Sequence, residues 1–327
     1  MPTWGEILKE VQQSAQERGP EGPDFDGIRR KYLANLHTLT GRPVILYSTD
    51  WFQSQDPAVA ISLEDMQGMM EVCKDLSGPA LDVILHSPGG QAEAAASIVR
   101  YLRSKFTEIR VFVPLAAMSA ATMWALSANV IVMGKHSQLG PIDPQVIMGE
   151  GAGRVPARAL IEEFDRAKEE IATNPQTLGA WLPILQKYPA GVLTQAETAD
   201  ELARRLVEEW LAVYMFGGRE DAQSEAQRIA AWFGDYGTHR SHSMGISRDQ
   251  AEEQGLTIEK LEADQTLQDA VLSVHHATMH SFAGAAVKII ENHLGRAFIK
   301  LAQAIPIAVP IPPGPIPQQP QPPSGRP

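Results

Sequence analysis

Between Pro43 and Gly134 the apolar positions fall into short, nearly continuous blocks separated by stripes of helical period. The blocks "PVILYST", "LDVILH", "IRVFVP" and "VIVMG" are strand-length and rich in Val and Ile, as expected of strands buried on both faces. Between them "SLEDMQGMMEVCKDL" and "QAEAAASIVRYLRSKF" repeat apolar residues every three or four positions, with Ser62 placed to cap the first. "SAATMWALSA" is a short third helix. Strands alternating with helices at this spacing predict repeated βαβ units on a parallel sheet, an α/β fold.

The flanks read differently. Trp4, Ile7, Leu8 and Val11 have helical spacing, "GPEGPD" interrupts, and a second helix spans Asp26 to Thr38, so residues 1–40 form a helical lead-in. The βαβ pattern and the helices that follow it occupy residues 41–262. Residues 263–304 read as a C-terminal helix with a break at Gly284, and 305–327 as a disordered Pro-rich tail of polyproline type. The stretch from Val113 to Gly134 carries no charge and exceeds the roughly 20 residues that cross a bilayer. Strand, helix and strand in succession account better for its Pro114 and Asn129.

Net charge is −11, with no basic stripe, which argues against nucleic acid as a partner. The N-terminus lacks the apolar run of a signal peptide. Cys73, the one cysteine, has no internal partner and sits in an apolar helical pattern, where it reads as core. A cytoplasmic location follows. Membrane association stays open, because "KIIENHLGRAFIKLAQAI" reads as an amphipathic helix suited to a membrane surface or to oligomer packing. The Pro-rich tail suits an aromatic groove on a partner.

Two loops fall at the carboxyl ends of neighbouring strands, the edge where open parallel sheets bind ligands. The first, "HSPGG", lets backbone approach a ligand closely and aims helix N-terminal amides at it. The second, "AAMSAA", sets Ser119 among alanines on a strand-to-helix turn, as a nucleophile requires. Taken singly, the first is an ordinary turn and Ser119 a helix cap. His275, His276 and His280 cluster on one helix but lack the Glu of a zinc motif, so no metal and no cofactor are expected. His239 and His242 are candidates to line a cleft.

Together, "LHSPGG", "VPLAAMSAATMWALSANVIVMG", "LGPIDPQ" and "THRSHSMGI" resemble the serine dehydrogenase proteinase family of the Clp protease/crotonase superfamily. That group is similar to the Clp proteolytic subunit and to signal peptide peptidase A. The resemblance covers roughly residues 25–260. It implies a Clp protease/crotonase-like fold and a serine endopeptidase acting on peptides or proteins. It also implies Ser119 as nucleophile, an oxyanion hole of Gly90 and Ala120 amides with Gly89, and a homo-oligomer. The histidine of the Clp subunit has no counterpart, since its place falls near Asp143. The peptidase A branch uses a Ser-Lys dyad, and Lys168 sits in the stripe of Ile161, Phe164 and Ile171. Burial there would lower its pKa toward that of a base. Lys135 and His136 remain alternatives. A crotonase-like acyl-CoA enzyme and a non-catalytic scaffold are the competing readings of the whole.

Overall fold

A computed structural model describes residues 3–148 and 153–302. The chain opens with α1 (Trp4–Arg18), capped by Thr3 and Glu6 bonding reciprocally, and α2 (Phe25–Thr40), capped by Asp24 and ended by Gly41 in left-handed conformation. The βαβ series follows as β1 (Val44–Thr49), α3 (Asp65–Val72), β2 (Ala80–His86), α4 (Ala92–Arg103), β3 (Glu108–Val113), β4 (Ala116–Ala117), α5 (Ala120–Leu126) and β5 (Val130–Met133). Next come β6 (Gln138–Leu139), β7 (Gln145–Ile147), β8 (Arg154–Pro156), α6 (Ala157–Thr173), α7 (Leu178–Leu185), α8 (Val192–Trp210), α9 (Ala222–Phe233), α10 (Tyr236–His239), β9 (Ile246–Ser247), α11 (Arg248–Glu253) and β10 (Ile258–Lys260). The described chain closes with α12 (Gln265–Ser281), β11 (Ala286–Asn292) and β12 (Ala297–Leu301).

The main sheet has the order β10-β5-β3-β2-β1-β11-β12. Its first five strands are mutually parallel, β11 pairs antiparallel with β1, and β12 pairs antiparallel with β11. The expected α/β architecture is therefore present. Alternation along β1 sorts the core: Val44 and Leu46 pack with Ile84, Phe112 and residues of α2 and α12, whereas Ile45 and Tyr47 face Val83, Val111, α4 and α5. Helices cover both faces. The uncharged Val113–Gly134 stretch is buried strand, helix and strand, and no described helix is long and apolar enough to cross a membrane.

Three sequence expectations give way. Residues 263–304 are not one helix: α12 stops at Ser281, and "AVKIIEN" and "AFIKL" form a hairpin around Gly295 at φ +83°. The helical spacing of Ile289, Ile290 and Leu294 was outweighed by what β11 gains beside β1, where its Ile and Val side chains are buried. With no helix there, the membrane-surface reading of that segment falls. Ser62 does not cap α3; its backbone N–H instead donates to the Asp65 carboxylate. The lead-in helices pack on α12 and close one face of the core. The Pro-rich tail lies outside the described residues.

Candidate active site

The two chemistry-bearing loops are joined through their backbones. Ser87 N–H donates to the Ala116 carbonyl at 3.2 Å, and Met118 N–H donates to the Ser87 carbonyl at 3.0 Å. Beneath them lies His86, fully buried. The Trp51 indole, which can only donate, gives its N–H to His86 Nε2 at 3.1 Å; the ring proton is therefore on Nδ1, 3.1 Å from the Ala116 carbonyl. Burial pushes the His86 pKa down to about 4. The unfolded chain thus binds more protons than the folded one between about pH 6.5 and 4, and stability falls as pH drops through that window. Replacing His86 by Gln should lessen the loss of unfolding free energy between pH 7 and 5 by roughly 2 kcal/mol, measured by urea titration.

Ser119 stands at φ +51°, ψ −122°, outside the ordinary regions for a residue with a Cβ. Strain of this kind costs on the order of 1–3 kcal/mol and collects at functional turns. Buried alanines at 116, 117, 120 and 121 leave room around it. Ser119 is half-buried, and its hydroxyl has no hydrogen-bond partner among the described residues. Gly89, at φ +91°, presses on the turn: a Cβ there would sit 2.8 Å from both Ser119 Cβ and the Ala120 nitrogen, and nearer still to the Met118 carbonyl.

The three amides named from the sequence are not equivalent. Gly89 N–H donates to Ser87 Oγ at 3.1 Å and is already committed within the turn. Gly90 is exposed, Ala120 lies at the start of α5, and neither amide has an acceptor among the described residues.

The burial expected of Lys168 is not found. Ala157, Leu160 and Ala167 form the buried stripe of α6, and Lys168 lies one position off it. Its side chain is 64% exposed and pairs with Asp165 at 3.0 Å. Lys135 and His136 are exposed as well. His136 borders a cavity of about 430 Å³ lined by Trp4, Asp50, Phe52 and His275, on the α12 side of the sheet. Cys73 is buried, and burial pushes its thiol up to about 11, in keeping with packing.

A different pair comes together instead. His242 Nδ1 lies 2.8 Å from Asp143 Oδ1, whose carboxylate is buried and also accepts from Gln145. The Nε2 side of His242 has no partner among the described residues. The segment carrying Asp143 adjoins the serine turn: Gly140 packs against Met118, its N–H donates to Thr122 Oγ1 at 2.9 Å, and Leu139 pairs with Ile246 just past His242. The sequence offered His242 as a residue to line a cleft and Asp143 only as the place where a histidine is missing, and nothing in it pairs positions 99 apart.

Residues 61–187 match the model of the ClpP-like SDH-type serine proteinases. This stretch resembles that family. It includes Ile61, the diglycine loop, Ser119 and Asp143, whereas His242 lies beyond it. Two uncharacterized proteins of Methanocaldococcus jannaschii are 34% and 31% identical over 119 and 113 residues, which is 36% and 34% of this chain. The chain spans about two fifths of the length of those curated relatives, 39% and 37%. Two solved forms of the 1510-N membrane-bound stomatin-specific protease are 14% identical, with TM-scores of 0.35 and 0.32. They cover 61% and 55% of this chain, and 74% and 60% of their own.

Proposed function

We propose that the protein is a serine peptidase acting on peptides or proteins, with Ser119 as nucleophile. The observation that carries this is the partnerless hydroxyl of a half-buried serine on a strained strand-to-helix turn, pressed against Gly89 and flanked by the uncommitted amides of Gly90 and Ala120.

Ser119 Oγ attacks the carbonyl carbon of the scissile peptide bond, and its proton passes to a base. The carbonyl oxygen becomes an oxyanion and takes hydrogen bonds from Gly90 and Ala120. The C–N bond then breaks, the base returns the proton to the leaving amine, and water hydrolyses the acyl-serine by the same steps in reverse. The base is His242. Asp143 orients its Nδ1 and stabilises the imidazolium, leaving Nε2 to exchange protons, the division of labour of a Ser-His-Asp triad. Lys168 at the solvent surface lacks the burial that would make it a base.

A fluorophosphonate probe tests the class. It should label Ser119 alone in the wild type, whereas an acyl-CoA enzyme or a scaffold with the same paired amides would take no specific label. The base is tested by turnover of a fluorogenic peptide library. His242→Gln should lose about 10⁴-fold or more in kcat, and Lys168→Ala should stay within about twofold. The opposite ranking would reinstate the lysine.

A further inference from the structure

Lys288 and Asp65 form an ion pair with neither side chain exposed, 2.7 Å apart, on β11 and at the start of α3. Two charges taken fully out of water gain little over an apolar pair of equal volume. What an apolar pair lacks is the capacity to hold main-chain polar groups of an irregular segment, and that is where the bonds of this pair end. Lys288 Nζ donates to the Ala60 carbonyl at 2.8 Å. Asp65 accepts from Ser62 N–H at 2.9 Å and from the Tyr47 hydroxyl at 2.8 Å. Ile61, between the two anchored residues, donates its N–H to the Gly89 carbonyl at 2.7 Å and accepts from Gln91 N–H at 2.9 Å.

Ile61 and Gly90 thus form a parallel bridge. In such a bridge the residues either side of Gly90 bond to Ile61, and the N–H of Gly90 itself turns to the opposite side. No side chain is tolerated between them, since a Cβ on Gly90 would lie 2.9 Å from Ile61 Cα and closer to its backbone N and O. The direction of the Gly90 amide is therefore set by where Ile61 sits.

We propose that the Lys288–Asp65 pair is a positioning device that pins Ala60–Ser62 and, through Ile61, aims the Gly90 amide at the developing oxyanion. The last step rests on the peptidase reading above. Neither residue touches the reacting atoms.

The test uses the full chain carrying Asp65→Asn together with Lys288→Met, which removes both charges at nearly constant volume. Amide exchange at Ile61 and Gln91 should quicken by roughly tenfold or more while the β2–β3 ladder keeps its protection. The kcat for peptide hydrolysis should fall about 10- to 100-fold with KM within about twofold, part of the value of one oxyanion donor. Unchanged exchange at both amides, or wild-type kcat in the folded double variant, would overturn the proposal. Should that variant not fold, Tyr47→Phe strips one bond from Asp65 without uncovering a charge. Exchange at Gln91 must then rise by about threefold, and no rise is the overturning result. Failure of the peptidase reading looks different: wild-type Ser119 takes no probe, and the exchange measurement still decides whether the pair governs the Gly90 loop.

Discussion

Ser119→Ala should abolish fluorophosphonate labelling and lower peptide turnover by roughly a millionfold, the scale seen when a nucleophile is removed from a serine peptidase. Its thermal midpoint should stay within about 2 °C of the wild type. The asymmetry follows from the local structure. The hydroxyl holds nothing in the fold, since it makes no hydrogen bond among the described residues. The turn is maintained by other bonds, Ala121 N–H to the Met118 carbonyl at 2.9 Å and Met123 N–H to the Ser119 carbonyl at 3.0 Å. Ala at φ +51° is no more strained than Ser. Retention of turnover in the variant, with labelling elsewhere, would remove Ser119 from the mechanism.

The second large effect is expected at Gly89. Gly89→Ala places a methyl 2.8 Å from Ser119 Cβ and the Ala120 nitrogen, against backbone that cannot rotate away. The turn must shift, taking the Ser119 hydroxyl and the Ala120 amide with it. Turnover should fall by about 100-fold or more, and stability by about 1–3 kcal/mol. Gly78→Ala is the matched control. Its φ of +94° gives comparable backbone strain, but a Cβ there meets nothing within 4 Å. That variant should lose about 1 kcal/mol in urea unfolding and keep its kcat. Equal activity in the two variants would show that contact with the serine turn is not what Gly89 provides.

How much of this was legible beforehand depended on the range of the interactions concerned. Strands β1, β2, β3 and β5 announce themselves through local runs of Val, Ile and Leu, and burial on both faces makes those runs nearly unbroken. The meeting of "HSPGG" with "AAMSAA" was also readable, because adjacent parallel strands bring their carboxyl ends together. Lys168 misled because a helical stripe is wide and Ala167, small and buried, shares its edge. The hairpin at 286–301 misled because two isoleucines and a later leucine satisfy a helical period as well as a strand's. Pairings between distant positions left no local trace. Asp65 looks like a first-turn helix residue, yet its partner comes from the far end of the chain.

That last pairing bears on when the protein can become whole during synthesis. β1 lies between β2 and β11, so one of its two edges stays unpaired until residues 286–292 have left the ribosome. A nascent chain halted earlier has an open strand edge and no ammonium at Ala60. Biosynthesis order would thereby leave Ala60–Ser62, and the Gly90 loop bonded to Ile61, without their full set of contacts until the hairpin has emerged.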